Sequence, residues 1–508
     1  MLYTPLTSTT TAMDDKSNPP PLPTPATQRP AQRRSGLTVR AFLAGCVLWA
    51  TLKHYSFFEW RSSPWAAAVP ESVRFEDCAP WLHAETTDDR PGFPLLSHTT
   101  FSLPVDAPHL FLLARSEVRN HPDVFSAGTV RYTQTDEVAD SIRVDISVEF
   151  RNRTHLAATR ACMIEREDKE SGEVARGVSI LTKWSEQYEK RSEHTAPELR
   201  FMKEVSFPRT ADGKPLKIAK FSSDLGLYAQ ELRGLENVHF GSLELQSTLQ
   251  PVVVDTIVAQ NTRIVASIAP IEIKNLIFDT AEITTSIAKI QGSFHGRALK
   301  LGSNVGAIDI VANLHARDGE VASLDIDTTT GEVKAELTLT RSTPQAGNAL
   351  PFPSQLGEEG KNASAAPLYR IEAHTTRGPL TIAIHDSPVD APILVSGSTY
   401  LGTATLSLPP TYEGQLHGRA AFSAARVLGT EDWVPDPKGL GRTRGVFVQG
   451  QFGETIVGSV WWGDGPGDPG SMGVVRMETA YSPVVIELVG GFGPQAEEME
   501  EGEEISLL

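Results

Sequence analysis

A short phrase recurs through the middle of the chain and constrains its fold more than any other feature. Each copy has a Ser or Thr, a few small or polar residues that mostly include Pro or Gly, and then alternating apolar residues. Seven copies begin at Ser247, Ser267, Ser286, Ser303, Thr329, Thr375 and Thr479. The first five start 20, 19, 17 and 26 residues apart. A strand–turn–strand unit with such a period is typical of a stacked repeat architecture.

Apolar and polar residues alternate after each turn, for example at Ile271 and Ile273 and at Ile308 and Ile310. A period of two gives each strand one buried and one wet face. One strand pair cannot bury its face alone, so neighbouring copies must stack. The sequence therefore predicts a mainly β protein with a β-solenoid-like repeat region, a β-rich N-terminal cap and one N-terminal transmembrane helix. An antiparallel β-sandwich made of hairpins is the alternative for the repeats.

Residues 37–58 form the apolar segment of the chain. The uncharged part, 41–52, would be a helix of only ~18 Å, but 37–58 with Arg40 and Lys53 reaching to the headgroups spans ~33 Å. Basic residues are denser before the segment than after it, which favours a cytoplasmic N-terminus. We expect a single-pass signal anchor in contact with membrane lipid, in the plasma membrane or secretory pathway. A cleaved signal peptide and a buried helix of a soluble protein are the alternatives.

The remaining divisions follow from composition. Residues 1–36 are rich in Pro, Ser and Thr, which predicts a disordered cytoplasmic tail. Residues 59–104 indicate a linker, and 105–235 a β-rich domain that caps one end of the stack. The β-repeat domain covers 236–492 with a loop insertion at 341–368, and 493–508 form an acidic disordered tail.

Charge and cysteine usage narrow the partners and the compartment. The net charge of −17 argues against nucleic acid as a partner. Cys78 and Cys162 can pair in an oxidising compartment, or they can be two separate buried thiols. Asn152 and Asn362 lie in glycosylation sequons and would be modified in a secreted domain, making the protein a glycoprotein.

No motif for nucleophilic, metal or nucleotide chemistry is present in the sequence. Carboxylates on successive rungs can serve in glycan hydrolysis, and acidic clusters can bind calcium. We expect instead that these carboxylates belong to a solvated face. The residues considered for these roles are Asp309, Asp318, Glu320, Asp325 and Asp327. The sequence thus predicts no catalytic residue, no cofactor and no metal ligand, and the protein is not expected to be an enzyme.

Phe240 to Ser247 open the repeats, and Gly458 to Gly463 precede the last copy. With the N-terminal tail and single apolar segment, these stretches resemble fungal single-pass membrane proteins that carry an adhesin-type β-repeat domain of unknown function. The resemblance covers 236–490 and implies no catalytic residue or cofactor.

We therefore expect a membrane-anchored, non-catalytic ectodomain for surface structure or adhesion, whose partner is an extracellular or lumenal protein or glycan. The alternative is a glycan-binding or carbohydrate-active module in which Trp461, Trp462 and Tyr481 form a sugar platform.

Overall fold

The computed structural model describes residues 73–81, 85–86, 93–116, 127–151, 153, 156, 159–167, 172–182, 199–317, 319–341, 368–430, 433–450, 453–465 and 472–489. All of them lie in one compact unit, 69–508. The strands of the N-terminal part are β1 (Val73–Ala79), β2 (Glu85–Thr86), β3 (Leu95–Pro104), β4 (His109–Ser116), β5 (Ala127–Val138), β6 (Ser141–Phe150), β7 (Thr159–Glu167), β8 (Val174–Thr182) and β9 (Leu199–Arg209).

The strands of the central part are β10 (Leu216–Asp224), β11 (Tyr228–Leu232), β12 (Val238–Ser247), β13 (Val252–Ala266), β14 (Ile271–Thr285), β15 (Ile290–Gly296), β16 (Ala298–Val305), β17 (Ile308–Ala316), β18 (Val321–Thr330) and β19 (Val333–Arg341). Those of the C-terminal part are β20 (Leu368–Arg377), β21 (Leu380–Asp386), β22 (Ile393–Thr399), β23 (Ala404–Leu408), β24 (Gly414–Ala420), β25 (Ala425–Leu428), β26 (Arg444–Gln449), β27 (Thr455–Trp462), β28 (Gly473–Thr479) and β29 (Val484–Leu488).

Two long ladders of hydrogen-bonded strands organise the molecule. The first ladder runs in the spatial order β1–β7–β8–β4–β10–β12–β13–β14–β16–β18–β20–β22–β28–β24–β27–β26. The second runs β2–β3–β6–β9–β5–β11–β13–β14–β15–β17–β19–β21–β23–β29–β25. The long strands β13 and β14 take part in both ladders, one with each half.

A rung is one strand of the first ladder together with the strand of the second ladder that follows it. From β10 to β23 successive rungs pair in parallel and in chain order. Val252 pairs with Ile271, 19 residues further on, and Val321 pairs with Leu368, 47 residues further on, since residues 342–367, which are outside the described ranges, come between the two rungs in the sequence. An antiparallel sandwich would need antiparallel neighbours, and the described strands of this stretch pair in parallel.

Alternating side chains explain why these segments form strands. Most inward residues of both ladders are aliphatic or aromatic, and they fill one continuous core. At the N-terminal end, Phe207, Phe221 and Phe240 meet edge-on or tilted, with ring centroids 5.8 to 6.2 Å apart. Further along, one core row is almost wholly aliphatic and includes Ile271, Ile290, Ile308, Val333, Leu380, Ala404 and Val484. Such rows bury apolar surface at roughly 25 cal/mol per Å².

Each end of the stack departs from chain order in the same way. At the C-terminal end the last rung, β28–β29, lies between the β22–β23 rung and the earlier β24–β25 rung. At the N-terminal end the β4–β5 rung lies between the later β8–β9 and β10–β11 rungs. Antiparallel strands then follow at three of the four ladder ends, with β7 and β6 beyond β8 and β9, and β27 beyond β24. Antiparallel strands of this kind cover edges that would otherwise pair with other chains.

The recurring Ser or Thr of the sequence has a structural role at the turns between the ladders. Equivalent positions of the first ladder form a row of buried residues, here named the hydroxyl row: Ser247, Ala266, Thr285, Ser303, Thr328, Thr375, Thr399 and Thr479. In the five members from Thr285 to Thr399, the hydroxyl donates to a turn carbonyl of the preceding rung. Without these bonds, the turn carbonyls, most of which are only partly exposed to water, would lose a hydrogen-bond donor.

Ala266 shows how the row tolerates a gap. The equivalent carbonyl on the preceding rung belongs to Gln250, and it accepts a hydrogen bond of 2.6 Å from Ser247 of its own turn. Three of the sequence copies, those starting at Ser267, Ser286 and Thr329, are one residue out of register with the hydroxyl row. The buried members of those rungs are Ala266, Thr285 and Thr328.

Several predicted boundaries differ from the structure. Within the predicted linker, 59–104, strand β3 pairs along its whole length with β6, and β1 pairs with β7. The predicted division at 235 and 236 falls inside the ladders, because β10 and β11 pair with β12 and β13. Residues 1–36, 37–58 and 493–508 lie outside the described residues. Within the described ranges, no helix has the length and apolar character that a membrane crossing requires.

Candidate functional site: a polar groove beside an aromatic cluster

A row of polar side chains crosses five rungs on the outer face of the first ladder. This outer row lies one residue before the hydroxyl row, so its side chains point away from the core. Its members pair in register from rung to rung, and their strands are about 4.8 Å apart. The outer row consists of Asp327, His374, Ser398, Glu478 and Arg419.

The outer row forms one wall of a groove at the corner where the first ladder enters its turns. The opposite wall is formed by the positions just after the hydroxyl row, among them Tyr400, Thr376 and Ala480. The groove has a volume of about 550 Å³. Because the intervening hydroxyl-row side chains point inward, the groove is continuous from Asp327 to Arg419.

Three exposed aromatic side chains stand at the same corner and are named here the aromatic cluster: Tyr400, Tyr481 and Phe422. The rings of Tyr400 and Tyr481 meet edge-on at 5.2 Å, and those of Phe422 and Tyr481 stack at 5.1 Å with 14° between their planes. Tyr400 and Tyr481 are each 51% exposed and Phe422 is 73% exposed. A hydrogen bond with Tyr481 raises the pKa of the Tyr400 phenol above its usual value, so this phenol is protonated at neutral pH.

The aromatic cluster arises from the order of the last rungs. Tyr400 follows β22, Tyr481 follows β28 and Phe422 follows β24, and these three strands are spatial neighbours only because β28 lies between the other two. The backbone continues this order through the turns, since the amide of Tyr481 donates to Tyr400 and the amide of Phe422 donates to Ala480. The chain must therefore complete its last rung before the cluster exists.

The outer row offers donors and acceptors of several kinds. His374 Nδ1 and Ser398 Oγ form a hydrogen bond of 2.8 Å. Glu478 has Ser398 on one side in the ladder and Arg419 on the other. With Asp327, the row has two carboxylates against one guanidinium.

The His374–Ser398 pair has one element of a nucleophilic site, a hydroxyl bonded to an imidazole. Asp327 pairs with His374 in the ladder, but no hydrogen bond joins their side chains among the described residues. Strand β22 is also paired on both sides, by β20 and β28, so its amides are not directed at a developing oxyanion. The geometry suits hydrogen bonding to a ligand better than attack on it.

The structure places the three predicted platform residues differently. Trp461 and Trp462 are neighbours on β27 and point to opposite faces. Trp462 is buried, its Nε1 donates to the Pro410 carbonyl at 3.2 Å, and the Arg442 guanidinium lies 5.8 Å from its ring centroid. Tyr481 lies in the aromatic cluster instead.

The other candidate residues are spread over the molecule. Asp309 is on the second ladder and forms an ion pair of 2.9 Å with Lys289, whereas Asp325 and Asp327 face outward on β18 of the first ladder. In the part of the chain that the structure describes, no group of three or more His, Cys, Asp or Glu side chains is placed to hold a metal ion. Asp318, Asn152 and Asn362 lie outside the described residues.

Cys78 and Cys162 face each other across the antiparallel pair of β1 and β7. Their sulfur atoms are 2.10 Å apart and form a disulfide between residues separated by 84 positions. The bond lies at the N-terminal end of the first ladder, where β1 has β7 as its ladder neighbour among the described strands.

Most residues of the groove were not predicted from the sequence. His374, Ser398, Arg419 and Glu478 come from four strands and share no sequence motif. One signal was available: Thr399 to Gly402 is a further copy of the recurring phrase, and aligning it with the copy at Thr479 would have placed Tyr400 beside the last turn.

Comparison with known proteins adds little to this picture. No protein-family model matches the chain, and no curated protein matches it. One solved structure with partial similarity is described as a "putative cell adhesion protein from Clostridium sporogenes ATCC 15579". The identity is 8%, the match covers 78% of this chain and 100% of that chain, and the TM-score is 0.14. At this TM-score the likeness carries no argument about fold or function.

Proposed function

We propose that this chain is a single-pass membrane protein whose β-solenoid ectodomain binds an extracellular or lumenal partner without chemical turnover. Its role is surface structure or adhesion, which suits the adhesin-type β-repeat domain that the sequence resembles. The N-terminus lies in the cytoplasm, and residues 37–58 contact the membrane lipid. The parallel rungs, 18 residues apart between β14 and β16 and 25 apart between β16 and β18, support the solenoid.

The observation that carries this proposal is the continuous groove with its aromatic cluster. Parallel strands in register place equivalent side chains one above another, so a single row continues across several rungs. A surface of this kind suits an extended partner that makes many similar contacts. Exposed aromatic rings beside it supply contact area with little loss of side-chain freedom on binding.

Topology is tested by protease protection of intact vesicles from cells that express the full chain with a different tag at each end. The proposal expects the N-terminal tag to be digested from outside the vesicles, while the C-terminal tag survives until detergent is added. Digestion of the C-terminal tag in intact vesicles would contradict the proposed orientation.

The absence of turnover is tested at the His374–Ser398 pair. We expect the full chain to hydrolyse p-nitrophenyl acetate no faster than a Ser398→Ala variant does. A rate well above that of Ser398→Ala, with saturation at high substrate concentration, would identify Ser398 as a nucleophile and the protein as a hydrolase.

A further inference from the structure

We propose that the groove and the aromatic cluster bind a neutral carbohydrate chain lying parallel to the stack axis. This inference rests on the proposed function, because it names the ligand class of the same binding surface. It concerns residues Tyr400, Phe422 and Tyr481 together with the outer row, rather than the two tryptophans of β27.

The aromatic cluster matches the amphipathic character of a sugar ring. A pyranose has apolar C–H faces and a polar rim of hydroxyl groups, so an aromatic ring can cover one face while polar side chains contact the rim. Tyr481 already stacks on Phe422, yet both remain more than half exposed, and Tyr400 is exposed to the same extent as Tyr481. An exposed cluster of three large rings on a polar surface indicates a contact site.

The outer row matches the hydroxyl groups. Carboxylates accept hydrogen bonds, a guanidinium donates several, and a hydroxyl or imidazole can do both. Ser398, Glu478 and Arg419 are consecutive in the ladder, so a mixed group, an acceptor and a donor follow one another along the groove. A chain of vicinal hydroxyl groups, each both donor and acceptor, can satisfy such a sequence.

An extended peptide fits the groove less well. Peptides add to a sheet through unpaired backbone groups at an edge strand. Strand β28 lies between β22 and β24, and β24 has β27 on its other side. The groove therefore presents side chains only, and a ligand without its own backbone hydrogen-bonding pattern suits it better.

The charges of the groove favour a neutral glycan over a sulfated or uronic one. Asp327 and Glu478 are two carboxylates against the single guanidinium of Arg419, and the whole chain has a net charge of −17. A polyanion would meet repulsion at both carboxylates. From Asp327 to Arg419 the outer row spans four strand intervals, about 19 Å, which accommodates several sugar units.

The experiment is binding of the full chain, in a detergent without a sugar headgroup, to an array of neutral oligosaccharides with sulfated and uronic glycans alongside. The strongest neutral binder is then used as the probe for dissociation constants. We expect Tyr481→Ala and Glu478→Gln each to weaken its binding by about fivefold or more, since central contacts of a site dominate its affinity. Tyr481→Phe keeps the ring and should keep most of the affinity.

Ile287→Ala is the matched control. Ile287 occupies the equivalent turn position on the β14–β15 rung and is 48% exposed, close to Tyr481, but lies outside the groove. The Ile287→Ala variant should bind the probe with the same dissociation constant as the unmodified chain. Glu478→Gln is nearly isosteric at an exposed position and should leave the fold unchanged. Its effect on binding therefore tests the groove even if Tyr481→Ala perturbs the turn.

The proposal is overturned if no neutral glycan binds, if only anionic glycans bind, or if binding is indifferent to both groove variants. Any of these results leaves the protease-protection outcome unaffected. A failed ligand class can therefore be distinguished from a failed membrane topology.

Discussion

Replacement of Thr375 by Val measures what the hydroxyl row contributes to stability. Thr375 is 5% exposed, and its Oγ1 donates to the carbonyl of Gly331 on the preceding rung at 3.1 Å. Valine keeps the shape but removes the donor. The Gly331 carbonyl is partly buried, so leaving it without this donor costs at most the value for a fully buried group, about 1–3 kcal/mol, and the additional buried methyl group offsets about 0.8 kcal/mol. We expect a net loss of about 1 kcal/mol, and at most about 2 kcal/mol.

Thr376→Val is the matched control, because Thr376 is the next residue and is exposed. Its free energy of unfolding should stay within about 0.5 kcal/mol of the unmodified chain. Urea denaturation gives the global comparison. Hydrogen exchange at Gly331, whose amide donates to the carbonyl of Arg377, gives the local one, and a loss of 1 kcal/mol corresponds to about fivefold faster exchange.

A triple variant extends the measurement along the row. Thr328, Thr375 and Thr399 donate to three different carbonyls, so replacing all three by Val should cost about three times the single loss, about 3 kcal/mol, apart from coupling between neighbours. If Thr375→Val is as stable as Thr376→Val and exchange at Gly331 is unchanged, the buried hydroxyls stabilise nothing and the reasoning is wrong.

Three further predictions concern other parts of the stack. Gly331→Ala should destabilise the protein by at least about 2 kcal/mol, because the added Cβ would overlap the carbonyl of Gly306 on the preceding rung. Gly302→Ala, whose Cβ would meet only a side-chain methyl at 3.4 Å, should be neutral in thermal unfolding. Serine at both Cys78 and Cys162 should cost about 2–4 kcal/mol and expose β1 to limited proteolysis, and unchanged cleavage would contradict this. Burial lowers the pKa of the Lys203 ammonium well below its usual value, so Lys203→Met should stabilise the protein at neutral pH by about 1 kcal/mol or more. This gain in the free energy of unfolding should shrink as the pH rises toward about 10.4, the pKa of lysine in the unfolded chain. A gain that does not change with pH up to that point would exclude burial of the charge as its cause.

The sign of the Lys203 effect follows from its surroundings. The side chain points into the core and its Nζ lies 3.9 Å from the ring centroid of Tyr228, a contact that partly compensates the charge. Because the folded pKa is depressed, the folded state binds fewer protons than the unfolded state between the two pKa values. Stability therefore rises with pH through that window, and the rise disappears in Lys203→Met.

Alternating apolar and polar residues, together with turn-forming residues between them, predicted the mainly β character of the chain. Ile271 and Ile273, and Ile308 and Ile310, are buried as their spacing predicts, because a strand places every second side chain on the same face. The register of the turns could not be predicted from the sequence. Thr285 and Ser286 are both small hydroxyl residues at the start of a turn, and only packing against the preceding rung selects which of the two is buried. A shift of one residue is invisible to composition and reverses every side chain.

Local patterning thus determined that this chain forms short strands joined by Ser, Thr, Pro and Gly turns, with a spacing suited to stacking. The spatial order of the rungs was decided by tertiary structure alone. Any rung with an apolar inner face can pair with any other. The sequence of β28 therefore does not predict its position between β22 and β24. That insertion places Glu478 beside Arg419 and Tyr481 beside Phe422. The candidate site therefore depends on contacts between residues far apart in the chain, which only the complete stack brings together.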